Sequence, residues 1–424
     1  MNQRSEGITA LLLAYAQAEP PAGVRDVMRL SVLDWAACGM AGQAEAAFSN
    51  WAEGQRDTGV SSRFDGQTSE PAQAALVNGT LSHALDYDDT HFAHIGHPSV
   101  VVVSAALAMA QQCGAGMARM VDAALAGAEA SVAVGLWLGR DHYEIGFHQT
   151  ATAGAFGATV AAGRLRDLGP DRMRHALGLC ATMASGLKGQ FGTMGKPLNA
   201  GLAARTGVEA AMWAGRGMTS ATDGLAGPSG FGETHHGAQG AVAFAWRMGD
   251  VSHKFHACCH GLHATLEAVR GVDLASADTL TVYTHPRWMS VCNQAAPDTG
   301  LGAKFSYAHV LAMTASGLDT GDVGAFTDAC ARNPALVAFR DRVKVLPDAS
   351  LSEMQARVEV NGVAHTHDLD AAVPIDVRTA RLRAKARGLV GSRADDIWQA
   401  IVQDDLDRFA RLLVPQLVPQ SVTQ

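Results

Sequence analysis

Residues 117–138 read MARMVDAALAGAEASVAVGLWL, and apolar side chains recur in this stretch at intervals of three and four residues. That spacing places the apolar side chains along one face of an α-helix. Many of the remaining residues are alanine or glycine, which are small enough to let a neighbouring helix approach closely. We therefore predict a buried helix here, in the core of an all-helical domain.

The same helical spacing continues on both sides of this stretch, from the N-terminus to about residue 268. The longest uncharged stretch, 97–117, contains Ser104, Gln111 and Gln112, and we interpret it as a buried helix rather than a membrane span. Further helices are predicted at 26–42, 71–85, 150–168, 171–183 and 200–216.

The sequence changes character near residue 270. Alternating polar and apolar residues predict strands at 279–285, 342–346 and 356–363, and the pair Asn361–Gly362 signals a tight turn. Helices are predicted between these strands at 308–317 and 322–332, and the helical pattern returns after about residue 390. The predicted fold is mainly α. A large all-helical domain (1–268 with 392–424) carries a smaller α+β lid domain (269–391), inserted before the C-terminal helix.

Composition excludes several classes of protein. Hydrophobic residues make up 48% of the chain and charged residues 17%, which excludes a disordered chain. The net charge is −8 with no basic block, so we expect no nucleic-acid partner. The seven cysteines include no CxxC pair, which argues against a disulfide framework or a zinc site. The N-terminus lacks the layout of a signal peptide, and we expect a cytoplasmic protein without membrane association.

Residues 85–99, LDYDDTHFAHIGHPS, are rich in ionisable side chains, although the chain as a whole is apolar. Carboxylates and imidazoles are ligands for metals, and they also form acid–base pairs near neutral pH. Both interpretations stay open beside a plain solvated loop, although no HExxH or HxH spacing supports a metal. Within twelve residues the stretch holds Asp86, Asp88, Asp89, His91, His94 and His97.

Two shorter motifs each precede a helical pattern. His148, in the sequence GFHQT, would feel the positive end of the following helix, which favours a neutral imidazole. Lys196, in GKP, is expected just before the next helix, where its ammonium could bind an anion. Lys188 is an equally good candidate by spacing.

Residues 253–263, HKFHACCHGLH, hold four histidines, two cysteines and Lys254. Adjacent cysteines do not easily bind one metal in tetrahedral geometry, and Lys254 would repel a cation. We therefore interpret the stretch as a cationic pocket for a carboxylate substrate. A later motif, AKFSYAH, ends in His309.

Taken together and in this order, these motifs resemble the MmgE/PrpD family over essentially the whole chain. The resemblance rests on LDWAACGMAG (33–42), HALDYDDTHFAHIGHPS (83–99), GFHQTATAGAFGA (146–158), GKPLNAGLAARTGVEAA (195–211), GPSGFGE (227–233), KFHACCHGLHATLEA (254–268) and AKFSYAH (303–309).

The resemblance implies a large helical domain with a small lid, a homodimer, and an active site between the two domains. It also implies catalysis without a cofactor or metal on a small di- or tricarboxylate. The enzyme removes the proton next to a carboxylate, and dehydration, decarboxylation or epimerisation follows. Such a proton is weakly acidic, so its removal needs a positioned base and cationic partners.

The family's functional positions correspond to ten residues of this chain. The resemblance implies proton transfer by His97 and His148, with Asp86 orienting an imidazole and His309 completing the site from the lid. Lys196 and Lys254 would bind carboxylates. The catalytic set is Asp86, Thr90, His97, His148, His263 and His309, and the substrate-binding set is Lys196, Lys254, Cys259 and His260.

The chain departs from the family pattern at two site positions. His309 stands where dehydratase and decarboxylase members carry a tyrosine, and Cys259 stands near the position of a decarboxylase histidine. 2-Methylcitrate dehydratases also read differently through 254–263, so the substrate is not transferred from them. Two other classes of function stay open: a metal-dependent hydrolase that uses stretches 91–97 and 253–263, and a non-catalytic dimeric scaffold.

Overall fold

A computed structural model describes residues 7–55 and 57–414. The chain forms two compact units. The first contains the described residues up to His253 and again from Leu382 onward, and the second contains Lys254–Arg381. The sequence prediction had put these limits at 268/269 and 391/392.

The predicted mainly α fold is confirmed, with a small sheet toward the C-terminus. The helices before the sheet are α1 (Gly7–Gln17), α2 (Ala22–Gln43), α3 (Ala46–Glu53), α4 (Pro71–Ser82), α5 (Pro98–Cys113), α6 (Met117–Glu144), α7 (Gln149–Leu165), α8 (Pro170–Met183), α9 (Gly195–Gly215), α10 (Phe231–Thr234) and α11 (His263–Ala268). Strands β1 (Ser61–Ser62) and β2 (Thr68–Ser69) form a short antiparallel hairpin that the sequence analysis did not predict.

Helix α5 forms the middle of the first unit's core, because every side chain from Pro98 to Ala110 is buried. This confirms the interpretation of the uncharged stretch as a buried helix. Among the described residues, α6 alone is long and apolar enough to cross a membrane, but 89% of its most apolar window is buried within the protein. That burial is the pattern of a core helix.

Glycines set the distance between α4 and α9. A Cβ atom added to Gly79 would lie 2.9 Å from the Cα atom of Gly201. A Cβ atom added to Gly201 would lie 2.2 Å from Thr80 Oγ1 and 2.3 Å from the carbonyl oxygen of Leu76. The two backbones therefore pack directly on each other, as the small residues predicted.

The second unit contains a four-stranded sheet in the order β4-β3-β5-β6. Strands β3 and β4 pair in parallel, and the other pairs are antiparallel. The predicted turn at Asn361–Gly362 joins β5 to β6, with both residues in the left-handed region. The strands are β3 (Leu280–Thr284), β4 (Val343–Pro347), β5 (Gln355–Val360) and β6 (Val363–Asp368). The last of them, β6, was not predicted.

The remaining helices follow the start of the sheet along the chain. They are α12 (Pro286–Val291), α13 (Gly300–Ala303), α14 (Tyr307–Ala315), α15 (Asp328–Ala331), α16 (Pro334–Arg340), α17 (Ile375–Val390), α18 (Arg393–Val402) and α19 (Leu406–Leu413).

Three local predictions were wrong. The segment 219–262 has only α10 and two single-turn 3₁₀ helices instead of a continuing helical series. The helix predicted at 322–332 is a 3₁₀ turn followed by the four-residue α15. The end of the described chain is two helices, not one: Asp404 has a positive φ, and the Asp405 carboxylate caps α19 by accepting the backbone N–H of Arg408 at 2.9 Å.

Candidate active site

His97 and His148 occupy equivalent positions, each as the residue that immediately precedes a helix. His97 is the N-cap of α5, whose first residue is Pro98, and His148 is the N-cap of α7. Proline is common at the first position of a helix for two reasons. Its fixed φ suits the first turn, and a backbone N–H at that position would have no partner within the helix. The backbone N–H of His97 donates to Thr150 Oγ1 at 3.0 Å, so the two helix starts are linked.

The imidazole of His97 lies between two carboxylates. Its Nδ1 is 3.1 Å from Asp88 Oδ2, and its Nε2 is 3.4 Å from Asp86 Oδ1. Lys196 Nζ lies 2.6 Å from the same Asp86 oxygen, so a cation completes the group. The structure thus brings together three of the predicted site residues: Asp86, His97 and Lys196.

The loop that carries Asp86 begins after α4 ends at Ser82. Asp86 has a φ of 50°, a left-handed conformation that aspartate adopts more readily than most residues. Lys196 lies in the first turn of α9, which begins at Gly195, and not before the helix as predicted. Pro197 is tolerated there because the first backbone N–H groups of a helix have no partner in it.

Asp88 and His83 belong to the same group, although the sequence analysis did not select them. Asp88 Oδ1 lies 2.8 Å from His83 Nδ1, and both side chains are buried. The rings of His83 and His97 meet edge to face at 4.6 Å. The available signal was the position of His83 at the end of the predicted helix 71–85, five residues before Asp88.

His148 lies beside this group. Its ring is stacked 6.1 Å from that of His83 and meets the ring of Phe191 edge to face at 5.0 Å. Asn199 Nδ2 donates to His148 Nδ1 at 3.3 Å and also to the carbonyl oxygen of Leu187 at 3.1 Å. Asn199 was missed as well, although it follows Lys196 by three residues and therefore shares its helix face.

Burial keeps both proton-transfer candidates neutral. It lowers the pKa of His97 to about 4, although the charge of Asp88 opposes this effect. It lowers the pKa of His148 well below its ordinary value, and the charge of Lys196 adds to the effect. Burial alone would raise the pKa of Asp88, but the imidazoles of His83 and His97 outweigh it and hold that pKa below its usual range. The site therefore combines the neutral imidazoles of His97 and His148 with the Asp88 carboxylate and the Lys196 ammonium.

Other residues of the stretch 85–99 hold its backbone in place. Thr90, a predicted catalytic residue, forms a two-residue bridge with Ser252, whose carbonyl oxygen accepts its N–H at 2.9 Å. The Thr90 hydroxyl also donates to that oxygen at 3.3 Å. Asp89 accepts hydrogen bonds from Ser31 Oγ at 2.7 Å and Ser99 Oγ at 2.5 Å, and burial raises the pKa of Asp89 to about 7.

The remaining histidines of this stretch have different surroundings. His91 Nε2 lies 2.9 Å from the carbonyl oxygen of Arg247. His94 is fully buried with neither ring nitrogen in a hydrogen bond, and burial lowers its pKa to about 3. Of the three histidines in 91–97, only His97 lies in the group around Asp88.

His83, Asp86, Asp88 and His97 each offer a ligand atom within 4.8 Å of the others, so they could enclose a metal ion. The ammonium of Lys196 opposes this, because it lies 2.6 Å from the Asp86 oxygen and would repel a cation. In the described part of the chain, 253–263 supplies no comparable group of ligands.

In the second unit, the predicted residues of 254–263 are mostly buried. Lys254 is 2% exposed, and the rings of His260 and His263 lie 4.5 Å apart. Burial lowers the pKa of His263 well below its ordinary value, and the neighbouring histidines and Lys254 lower it further. Cys259 precedes the 3₁₀ turn at His260 and donates its N–H to the carbonyl oxygen of Lys304 at 2.9 Å.

His309 lies in the first turn of α14, where its N–H donates to Ser306 Oγ at 3.2 Å. Its Nε2 is 4.0 Å from Cys330 Sγ, and burial lowers its pKa to about 4. Lys188, the other candidate lysine, donates from Nζ to the carbonyl oxygen of Tyr143 at 2.9 Å and lies over the Tyr143 ring. Lys196, which pairs with Asp86 at 2.6 Å, is the lysine of the group.

Comparison with known families identifies the class of this protein. Residues 6–243 match the MmgE/PrpD N-terminal domain, and residues 256–402 match the MmgE/PrpD C-terminal domain. The chain belongs to the MmgE/PrpD family, as the motifs indicated.

Its curated relatives include cis-aconitate decarboxylases. One from Aspergillus terreus is 30% identical over 229 residues, which cover 49% of this chain and 46% of the relative. Another, from Aspergillus terreus strain NIH 2624 / FGSC A1156, is 26% identical over 400 residues, 81% of this chain and 80% of the relative. The Homo sapiens enzyme is 30% identical over 168 residues, 38% of this chain and 34% of the relative. The chain thus spans less than half of two of these relatives and four fifths of the third.

Proposed function

We propose that this protein is a lyase that acts on a small di- or tricarboxylate without a cofactor. Its reaction begins with removal of a proton next to a carboxylate, or with loss of a carboxylate as carbon dioxide. The observation that carries the proposal is the group formed by Asp86, His97 and Lys196, in a chain whose relatives are cis-aconitate decarboxylases.

Lys196 supports the binding of an anionic substrate. An ammonium has three donors, and one of them is directed at Asp86 2.6 Å away. The other two can bind a substrate carboxylate. Negative charge that develops at this carboxylate during the reaction is then stabilised by a fixed cation, which is worth more in a buried site than in water.

The neutral imidazoles support proton transfer. His97 and His148 are unprotonated near neutral pH, so each can accept a proton. The arrival of a polycarboxylate adds negative charge beside these rings, and opposite charge raises the pKa of an imidazole. Substrate binding would therefore make both histidines stronger bases at the moment when one is needed.

The outcome depends on what leaves after the first step. Loss of carbon dioxide leaves an electron pair on the adjoining carbon, which an acid must protonate. Loss of water needs a base at carbon and an acid at the hydroxyl oxygen. Removal and return of a proton on opposite faces would invert the carbon, which is the epimerase outcome. We favour decarboxylation or dehydration, and we propose that Cys259 and His309, which differ from the family pattern, decide the substrate.

Incubation with a panel of small polycarboxylates in heavy water tests the proposal. The panel includes cis-aconitate, 2-methylcitrate and iminodisuccinate, and proton NMR follows both deuterium incorporation and new compounds. We expect a product that has lost carbon dioxide or water. Deuterium exchange with inversion and no other product would favour the epimerase, and no reaction with any member would contradict the proposal.

Two neighbouring lysines provide a matched pair of variants. Lys196→Met should lower kcat/KM by about a hundredfold or more, because a charge partner of the substrate is lost. Lys188→Met removes the same charge from a lysine bound to Tyr143 and should stay within a few-fold of the parent. Equal activity in both variants would remove Lys196 from the site.

The same assay tests the hydrolase alternative. Activity that a chelator abolishes and zinc restores would favour a metal enzyme over the proposed lyase. The homodimer, the cytoplasmic location and the roles of Thr90, Lys254, His260 and His263 stay predictions.

A further inference from the structure

The phenyl ring of Phe191 lies against two residues of the candidate site. It meets the imidazole of His148 edge to face, with 5.0 Å between the ring centroids. The Nζ atom of Lys196 lies 5.3 Å from the centroid of the same phenyl ring, within the range of a cation–π contact. Even so, 40% of Phe191 is exposed. An apolar surface is therefore left open beside the lysine that is proposed to bind a carboxylate.

Backbone hydrogen bonds join the segment before Phe191 to the segment that carries His148. The N–H of Lys188 donates to the carbonyl oxygen of Gly146 at 2.8 Å, and the N–H of His148 donates to that of Gly186 at 2.9 Å. The N–H of Phe191 donates to the carbonyl oxygen of Lys188 at 2.9 Å, at the end of a single 3₁₀ turn. The position of the phenyl ring is therefore tied to the position of His148.

The chemistry of the ring decides which ligand groups it favours. A carboxylate bound by the Lys196 ammonium brings the adjoining carbon of the ligand toward the phenyl ring, because the ring lies beside that ammonium. Burial of a methyl or methylene group against the ring is favourable. A hydroxyl group in the same place loses hydrogen bonds to water that a phenyl ring does not replace. The ring therefore discriminates between ligands by the polarity of the group on that carbon.

We propose that Phe191 is a specificity-determining residue. Its ring contacts the substrate carbon next to the carboxylate that Lys196 binds, and it favours a hydrogen atom or a methyl group over a hydroxyl group on that carbon. This inference rests on the proposed function, because it takes Lys196 as a carboxylate-binding residue. It narrows the substrate class to polycarboxylates without a hydroxyl group at this position, and Phe191 would share the choice of substrate with Cys259 and His309.

Two diacids, followed by calorimetric titration, test the inference. meso-Tartrate carries a hydroxyl group on both inner carbons, and meso-2,3-dimethylsuccinate carries a methyl group on both. Whichever carboxylate Lys196 binds, the adjoining carbon therefore carries the group under test. We expect the parent to bind the dimethyl compound more tightly. Phe191→Ala should reduce the ratio of the two affinities by about tenfold or more, the usual size of discrimination by an apolar contact.

Three further variants provide the controls. Phe191→Leu and Phe191→Asn introduce side chains of similar size and opposite polarity, so they separate an apolar contact from the filling of space. Phe191→Leu should keep most of the parent's preference, and Phe191→Asn should lose it. Phe244→Ala removes a similarly exposed ring, which stacks on Tyr15, and should keep the preference. Equal ratios of affinity in Phe191→Leu and Phe191→Asn would overturn the inference.

The titration and the test of the lyase can fail separately. A ring that only shields Lys196 and His148 from water would affect both diacids alike, so Phe191→Ala would keep the parent's ratio. That result would overturn the inference even if the protein proves to be a lyase. A ratio that falls in Phe191→Ala supports the inference even if the reaction proves to be an epimerisation. If the parent binds neither diacid and Lys196→Met is as active as the parent, Lys196 binds no carboxylate and the inference fails with it.

Discussion

In the first unit, His83 and His97 face carboxylates, whereas the histidines of 254–263 mostly face one another. His97 has a carboxylate on each side, at 3.1 and 3.4 Å. His263 has the rings of His260 and His256 at 4.5 and 5.1 Å, and the nearby Glu267 is bonded to His256. A carboxylate stabilises an imidazolium, and neighbouring imidazoles disfavour it. The first group is therefore suited to exchange protons, whereas the ring of His263 is kept neutral by burial, its imidazole neighbours and Lys254.

The largest difference should appear between His97→Gln and His263→Gln. Loss of a general acid or base typically costs 10²- to 10⁴-fold, and we expect a loss in this range, of about a hundredfold or more, in kcat for His97→Gln. His263→Gln should cost about tenfold or less, because burial and the neighbouring imidazoles and Lys254 all disfavour a protonated His263 ring. Steady-state kinetics with the substrate found by NMR measure both. A larger loss at His263 would reverse the assignment of the two groups.

The second contrast concerns binding by Lys254. Lys254→Met should raise KM or lower kcat/KM by about a hundredfold without loss of the fold, because it removes the buried ammonium that we propose binds a carboxylate. Lys344→Met, at an exposed position of β4, is the matched control and should behave like the parent. Circular dichroism checks the fold. Full activity in Lys254→Met would leave anion binding to Lys196 alone.

The smallest effect is on stability in acid. Burial lowers the pKa of His94 to about 3 and of His309 to about 4, from 6.5. The unfolded chain then binds more protons than the folded chain between about pH 6.5 and 4, so stability falls as the pH falls through this window. At pH 5 each histidine should lower the free energy of unfolding by about 2 kcal/mol.

Denaturant unfolding at pH 7.5 and pH 5 measures this loss. In His94→Gln and in His309→Gln, the difference between the two pH values should shrink by that amount. A variant that keeps the full acid sensitivity of the parent would show that its histidine does not titrate in the window.

Much of the fold followed from the sequence, and less of the site did. Periodic spacing located the buried helices and most of the sheet, because burial on one face leaves a regular pattern. The stretch 85–99 holds three aspartates, and no sequence pattern shows which of them faces a histidine or a lysine. Only the left-handed backbone at Asp86, together with the turn after α4, directs Asp86 toward Lys196 and Asp88 toward His83.

Thr90 and Asn199 also show that the sequence does not reveal which side chains meet in the site. Thr90 was selected by the family motif, yet the structure bonds it to the backbone of Ser252. Asn199 was passed over, because an amide inside an alanine-rich helix has no distinctive signature. Its role follows from the distance to His148, which depends on how α9 packs against the rest of the unit.

The direct contact between α4 and α9 gives this protein a vulnerability remote from its chemistry. Gly201 lies five residues beyond Lys196 and two beyond Asn199, on the same rigid helix. One methyl group at Gly201 would collide with the backbone of α4 and displace both side chains together. In a random library selected for activity, inactive members would therefore accumulate at glycines that never meet the substrate. An engineer who wished to change specificity would vary the loops and leave the contact between α4 and α9 unchanged.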